Sequence, residues 1–143
     1  MNNDSDADEA TGLTGCIELS SGENEPDVDA GILQTASLGD QVFVDNNGNG
    51  VFDAGDVGKA DVVVNLYYCN ADGSMGDFVA TTTTADGTGA DPLGYYVFDN
   101  LDPGDYKVEF VLPGGYKFTQ QSTFDPDAVN NDSDADEATG LTG

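Results

Sequence analysis

The chain has 143 residues, 38% of them apolar and 9% aromatic, enough for one domain with a real core and too apolar for a disordered acidic tail. Twenty-eight acidic residues face three lysines, a net charge of −25, which excludes nucleic acid and anionic membranes as electrostatic partners. Histidine is absent, which removes the commonest general base and zinc ligand. No run of about 18 apolar residues could span a bilayer. No basic and apolar leader follows Met1, so any signal peptide is expected to be removed or to lie outside this segment.

The first element is a duplication. "NNDSDADEATGLTG" occupies residues 2–15 and recurs letter for letter at 130–143. An identical match of this length predicts a tandem array with a unit of about 128 residues. Met1 stands where Val129 precedes the second copy, so it reads as a start residue or a cut point in a longer periodic sequence.

Strands are expected next at Cys16–Leu19 ("CIEL") and 27–33 ("DVDAGIL"), then at Gln41–Val44. "VVVNLYYC", Val62–Cys69, alternates Val62, Val64, Leu66 and Tyr68 with the residues between them. Phe78–Thr84 is rich in β-formers and Tyr95–Phe98 is short. "DYKVEF" sets Tyr106, Val108 and Phe110 against Asp105, Lys107 and Glu109, a half-buried antiparallel strand. Tyr116–Phe118 is a last short strand. The turn signals "ADGS", "ADGTG", "LDPGD" and "LPGG" punctuate the chain. No amphipathic helix is predicted, and the pattern is that of an all-β antiparallel sandwich.

"DNNGNGVFDAGD", residues 45–56, fits a twelve-position calcium loop. Asp45, Asn47 and Asn49 take positions one, three and five, and Gly50 the sharp turn at six. Val51 would offer its carbonyl, with Asp53 at nine and Asp56 in place of the usual Glu at twelve. Calcium takes six to eight oxygens, and alternate side chains of a tight loop can surround it. The competing reading is an ion-free Asn/Gly turn. A second cluster, Asp132, Asp134 and Asp136, would point one way in an extended segment and so invite a cation, with Glu137, Asp125 and Asp127 as further donors. The alternative is a solvated acidic loop. Asp4, Asp6 and Asp8 repeat this element. Asp72 with Asp77 and Asp86 with Asp91 read as turns rather than ion sites.

Cys16 and Cys69 fit no zinc or redox spacing. A disulfide is expected in a secreted protein, two unpaired thiols in a cytosolic one. No Ser/His or Cys/His nucleophile pair can exist. Composition leaves paired-carboxylate glycosidase chemistry open, but the carboxylates sit in calcium-like turns rather than at an apolar cleft, so no enzyme is expected. Asn3 and Asn131 lie in N-x-S sequons.

"SLGDQVFVDNNGNGVFDAGDVGKADVVVNLYY", "VATTTTADG" and "GYYVFDNLDPGDYKVEFVLPGGYKFT" together resemble the SdrD B-like repeat family. These are Cna-B-type, Ig-like or prealbumin-like β-sandwiches of bacterial surface adhesins. The duplicated segment and "IELSSGENEPDVDAGIL" resemble the end of such a repeat. The resemblance implies a calcium-stiffened structural repeat, extracellular, on a cell surface or secreted. Its calcium-loop residues fall on Asp45, Asn47, Asn49, Val51, Asp53 and Asp56, and its acidic element on Asp132, Asp134 and Asp136. It implies that residues 1–36 are a junction segment with the closing strands of a preceding repeat. Residues 37–143 are then a sandwich without its own closing strands. "SLGDQVFV" carries no lysine, so no isopeptide crosslink is expected. The expected partner is self, head to tail, covalently continuous or by strand donation. The competing arrangement folds residues 16–33 back onto the same sandwich. The alternative function is a glycan- or host-protein-binding adhesin, with Tyr67, Tyr95 and Phe124 as candidate contacts.

Overall fold

The computed structural model describes residues 4–121 and 132–142. The chain divides into two compact units, Met1–Gln34 and Thr35–Gly143.

The larger unit is all β. Its strands are β1 (Ala36–Gln41), β2 (Phe43–Val44), β3 (Val57–Gly58), β4 (Val63–Cys69), β5 (Met75–Thr83), β6 (Tyr95–Leu101) and β7 (Tyr106–Phe110). All pairings are antiparallel: β1 with β6, β2 with β3, and a three-stranded sheet in the order β5-β4-β7. The alternation in β4 and β7 explains how the layers meet. Val64 and Leu66 of β4 and Val108 of β7 are buried against Tyr96, Phe98 and Leu101 of β6, with Leu38, Val42, Val79, Ala80, Tyr106 and Phe110 around them. Each sheet therefore buries one face against the other, as an antiparallel sandwich requires.

Two connections fix where the loops emerge. Gly94 has φ +88°, and a Cβ there would run into the Val42 carbonyl oxygen, so only glycine lets the chain enter β6 beside β2. Thr84, 3% exposed, donates its hydroxyl to Lys59 O at 2.7 Å and accepts Val62 N–H at 3.0 Å. That hydroxyl ties the segment leaving β3 to the end of β5.

Tyr116–Phe118 is not a strand. Pro113 O accepts Tyr116 N–H at 3.2 Å in a turn, and the Lys59 ammonium sits 5.6 Å from the Tyr116 ring centroid.

The smaller unit contains no strand among its described residues. Asp8 O accepts Gly12 N–H and Asp8 N–H donates to Leu13 O, closing one turn. Ser20 and Glu23 close another. Asp6 N–H donates to Asp29 O at 2.8 Å, Asp29 N–H to Asp6 Oδ2 at 2.9 Å, and Gly31 N–H to Ser5 Oγ at 3.2 Å. The strands expected at Cys16–Leu19 and 27–33 are absent because propensity supplies no partner, and a lone strand leaves its ladder unpaired. Ile17, Leu19, Val28, Ile32 and Leu33 are accordingly exposed, Ile32 to 94%.

Candidate metal centre

Residues 45–56 form one loop between β2 and β3. Asp45 organises it: Oδ1 accepts Gly48 N–H at 2.6 Å, and Oδ2 accepts Gly50 N–H at 2.8 Å and Thr119 Oγ1–H at 2.6 Å. The Thr119 hydroxyl, then these amides, hold the Asp45 carboxyl down to about 2. Asn47 Oδ1 accepts Asn49 N–H and Asn49 Oδ1 accepts Val51 N–H. Both amide nitrogens turn toward Asp53, Asn47 at 3.2 Å and Asn49 at 2.9 Å. Asp56 accepts Asn46 N–H at 2.9 Å and Asp53 N–H at 3.1 Å. Gly50 has φ +81°, and a Cβ there would lie 2.6 Å from Gln120 O, so the turn at position six is closed to other residues.

The loop carries three carboxylates, Asp45, Asp53 and Asp56, while the Asn47 and Asn49 amide oxygens are taken up by backbone N–H groups. The hydrogen bonds spend the carboxylates on amides rather than on one another. Among the described residues no three acidic side chains converge on a common point.

The second acidic element docks beside this loop. Asp132 bridges Val51, and Ser133 N–H donates to Gly50 O at 2.8 Å. The three expected carboxylates then separate. Asp136 Oδ1 caps its own turn, accepting Ala138 N–H, Thr139 N–H and Thr139 Oγ1–H. Asp134 shares the wall of one groove with Asp132 and with Asp40 of β1. Burial, then the charges of Asp132 and Asp40, push its carboxyl up, and burial pushes up Asp40. Tyr96 is raised too, by burial and then by Asp40 and Asp134. Asp40 was invisible as a site residue, because only the docking of the 132–136 segment brings it to Asp134. Beyond the seam, Gly140 O accepts Phe110 N–H, Thr142 N–H donates to Val108 O, and Leu141 bridges Glu109, so the segment lies along β7.

These elements line a groove of about 580 Å³, with Val42, Val44, Tyr96, Phe110, Ser133, Asp134 and Ala135 among its walls. Residues 36–143 match the SdrD B-like domain. The chain belongs to the SdrD B-like family. Two curated relatives are the "Bone sialoprotein-binding protein" of Staphylococcus aureus (strain MRSA252) and the "Serine-aspartate repeat-containing protein E" of strain MSSA476. Each is 37% identical over 112 residues, 77% of this chain and 9% of the relative. The chain therefore spans less than a tenth of these relatives' length.

The expected Cys16–Cys69 disulfide is absent: both thiols are free, Cys16 exposed and Cys69 half-buried, its Sγ 3.7 Å from Asn70 O. An even count of cysteines carries no geometry, and a bridge needs Cα atoms about 4.4–6.8 Å apart. Asp72 caps Ser74 and Asp86 caps Thr88. In the N-terminal copy, Asp4 is exposed, Asp6 holds Asp29 and Asp8 caps its turn. Tyr67 Oη donates to Glu109 at 3.2 Å and packs edge-on against Phe78, and Tyr95 is half-buried in β6. Phe124, Asp125, Asp127, Asn3 and Asn131 lie outside the described residues. No helix among the described residues is long and apolar enough to cross a membrane.

Proposed function

We propose that this chain is a structural unit of an extracellular surface protein. In this reading it is a β-sandwich braced by calcium and joined head to tail to further copies in an adhesin stalk or fibre. One observation carries the proposal: the oxygen-lined loop of residues 45–56 is tied to the duplicated acidic segment through Ser133–Gly50 and Val51–Asp132. An ion held by Asp45, Asn47, Asn49, Val51, Asp53 and Asp56 would brace the sandwich where repeats meet. It would also offset part of a charge of −25. Family membership and the use of carboxylates as turn caps support a mechanical role rather than an enzymatic one.

Calorimetric melting in millimolar calcium and in chelator tests this. At a hundredfold excess over the dissociation constant, one site contributes about 2.7 kcal/mol. For a domain of this size that is a rise in Tm of roughly 10–20 °C, and Asp53→Ala should abolish most of it. Identical melting in calcium and chelator would remove calcium from the reading.

A second reading, binding of a glycan or host protein, draws on the sialoprotein-binding name of one relative. It also draws on Phe78, 56% exposed beside Tyr67. Binding to a glycan array or to immobilised sialoprotein that disappears with Phe78→Ala would support it.

A further inference from the structure

The duplicated segment takes the same shape in both of its settings. Asp8 and Asp136 each cap a turn with matching bonds: Asp8 N–H to Leu13 O at 3.0 Å and Asp136 N–H to Leu141 O at 2.9 Å. Gly12 N–H reaches Asp8 O at 2.8 Å and Gly140 N–H reaches Asp136 O at 2.9 Å. Thr11 and Thr139 donate both amide and hydroxyl to the aspartate oxygen, at 2.9 and 2.7 Å in the first copy and 2.9 and 2.8 Å in the second. The left-handed glycines agree as well, φ +67° and +70°. The surroundings differ. Gly140 and Ala135 are buried against the sandwich and Leu141 is half-buried, whereas Gly12 and Leu13 are exposed.

We propose that the 132–142 segment is an exchangeable placeholder. The identical N-terminal segment of a second copy of this chain replaces it on the sandwich, carrying residues 16–33 into the groove and linking copies head to tail. The proposal rests on the reading of the chain as an array unit and names the contact that joins the units. Identical sequences make identical seam contacts, so the exchange gives up no contact and must offset only the freedom lost on association. The gain is burial of Ile17, Leu19, Val28, Ile32 and Leu33, all exposed in the smaller unit.

The register is defined. With Leu141 opposite Glu109, an incoming Leu13 takes the same place, Gly15 falls opposite Lys107, and Ile17 reaches Asp105 beyond the start of β7. The return path is also preformed. Ser5 and Asp6 already hold Asp29 and Gly31. Their counterparts, Ser133 and Asp134, line the groove. The Asp6 pattern therefore places residues 28–33 beside Val42, Tyr96 and Phe110, as strand addition does. The Asp29 N–H travels with Asp6, already donating to its carboxylate at 2.9 Å.

The two glycines separate the roles. A Cβ at Gly12 meets nothing within 4 Å, whereas one at Gly140 would lie 2.7 Å from the Phe110 carbonyl oxygen and 2.5 Å from the Phe118 ring. Asparagine tolerates the left-handed conformation, so Gly12→Asn leaves the free turn intact but cannot seat on a neighbour. Gly140→Asn loosens the placeholder and leaves the donor intact. The full chain and both variants are incubated warm, below their melting points, at rising concentration and followed by sedimentation velocity.

The parent should form a ladder of oligomers, Gly140→Asn a longer one at lower concentration, and Gly12→Asn monomer alone. A parent that stays monomeric, or a Gly12→Asn chain that assembles like the parent, overturns the exchange. A monomeric parent whose melting still depends on calcium overturns it while leaving the calcium-braced unit standing.

Discussion

Thr84→Val isolates one hydroxyl that holds the candidate loop's exit strand to the sandwich. The replacement is close in volume, so packing changes little, but two bonds disappear: Thr84 to Lys59 O at 2.7 Å and Val62 N–H to Thr84 at 3.0 Å. Val62 is 2% exposed and Thr84 3%, so water does not readily replace what is lost. A buried donor or acceptor left without its partner costs about 1–3 kcal/mol, so the pair amounts to about 2–6 kcal/mol. That corresponds to a fall in Tm of roughly 10 °C or more for a domain of this length. Thr84→Ser keeps the hydroxyl and removes one methyl group, worth about 1 kcal/mol. Guanidinium titrations of both variants in chelator check the order. If serine destabilises more than valine, packing rather than the hydroxyl holds this corner, and the reasoning fails.

Leu66→Ala empties a fully buried site in β4 and should lower stability by about 2–5 kcal/mol in urea unfolding. Ellman's reagent should titrate both thiols of the unreduced native chain, the exposed Cys16 first; a chain without reactive thiol would restore the disulfide. Asp45, Asp8, Asp72, Asp86 and Asp136 all sit below the usual carboxylate range. Their stabilisation is therefore present above about pH 4 and is lost as pH falls, for Asp45 through about 2. Asp40 and Asp134 are raised, so stability gained on their protonation is lost as pH rises through their folded values. Asp134→Asn should consequently raise the denaturation midpoint at pH 7 in chelator and do less at pH 3.

Much of the fold was written in short-range pattern. Val64, Leu66 and Val108 are buried where a period of two puts them, and the Asn/Gly-rich stretch after Asp45 turns as such residues do, with Asp45 accepting the Gly48 and Gly50 amides. The features that sequence missed are those that distant residues create. β3 is two residues long and exists because Gly58 and Val57 return to Phe43 and Val44. Thr119 closes on Asp45 from 74 positions away, and Asp40 comes to line one groove with Asp134 only through docking of the 132–136 segment. The opposite error arose at residues 16–19 and 27–33, where alternation and β-formers describe a surface that needs a partner and do not say which chain holds it.

The charge of −25 is not spread evenly in its consequences. Aspartates that cap turns are satisfied by amides and hydroxyls within a few residues, and their lowered affinity for protons shows that the folded chain favours their negative form. Asp40 of β1 and Asp134 of the duplicated segment go the other way: partial desolvation, and for Asp134 also the charges of Asp132 and Asp40, raise their carboxyls although both side chains stay exposed. Electrostatic cost is thus concentrated where that segment docks on the sandwich. A cation there, or an amide brought in by a neighbouring copy, relieves the same strain. Because both would answer the same strain, a bound cation should lessen the advantage of assembly, and assembly that of the cation, by the same factor.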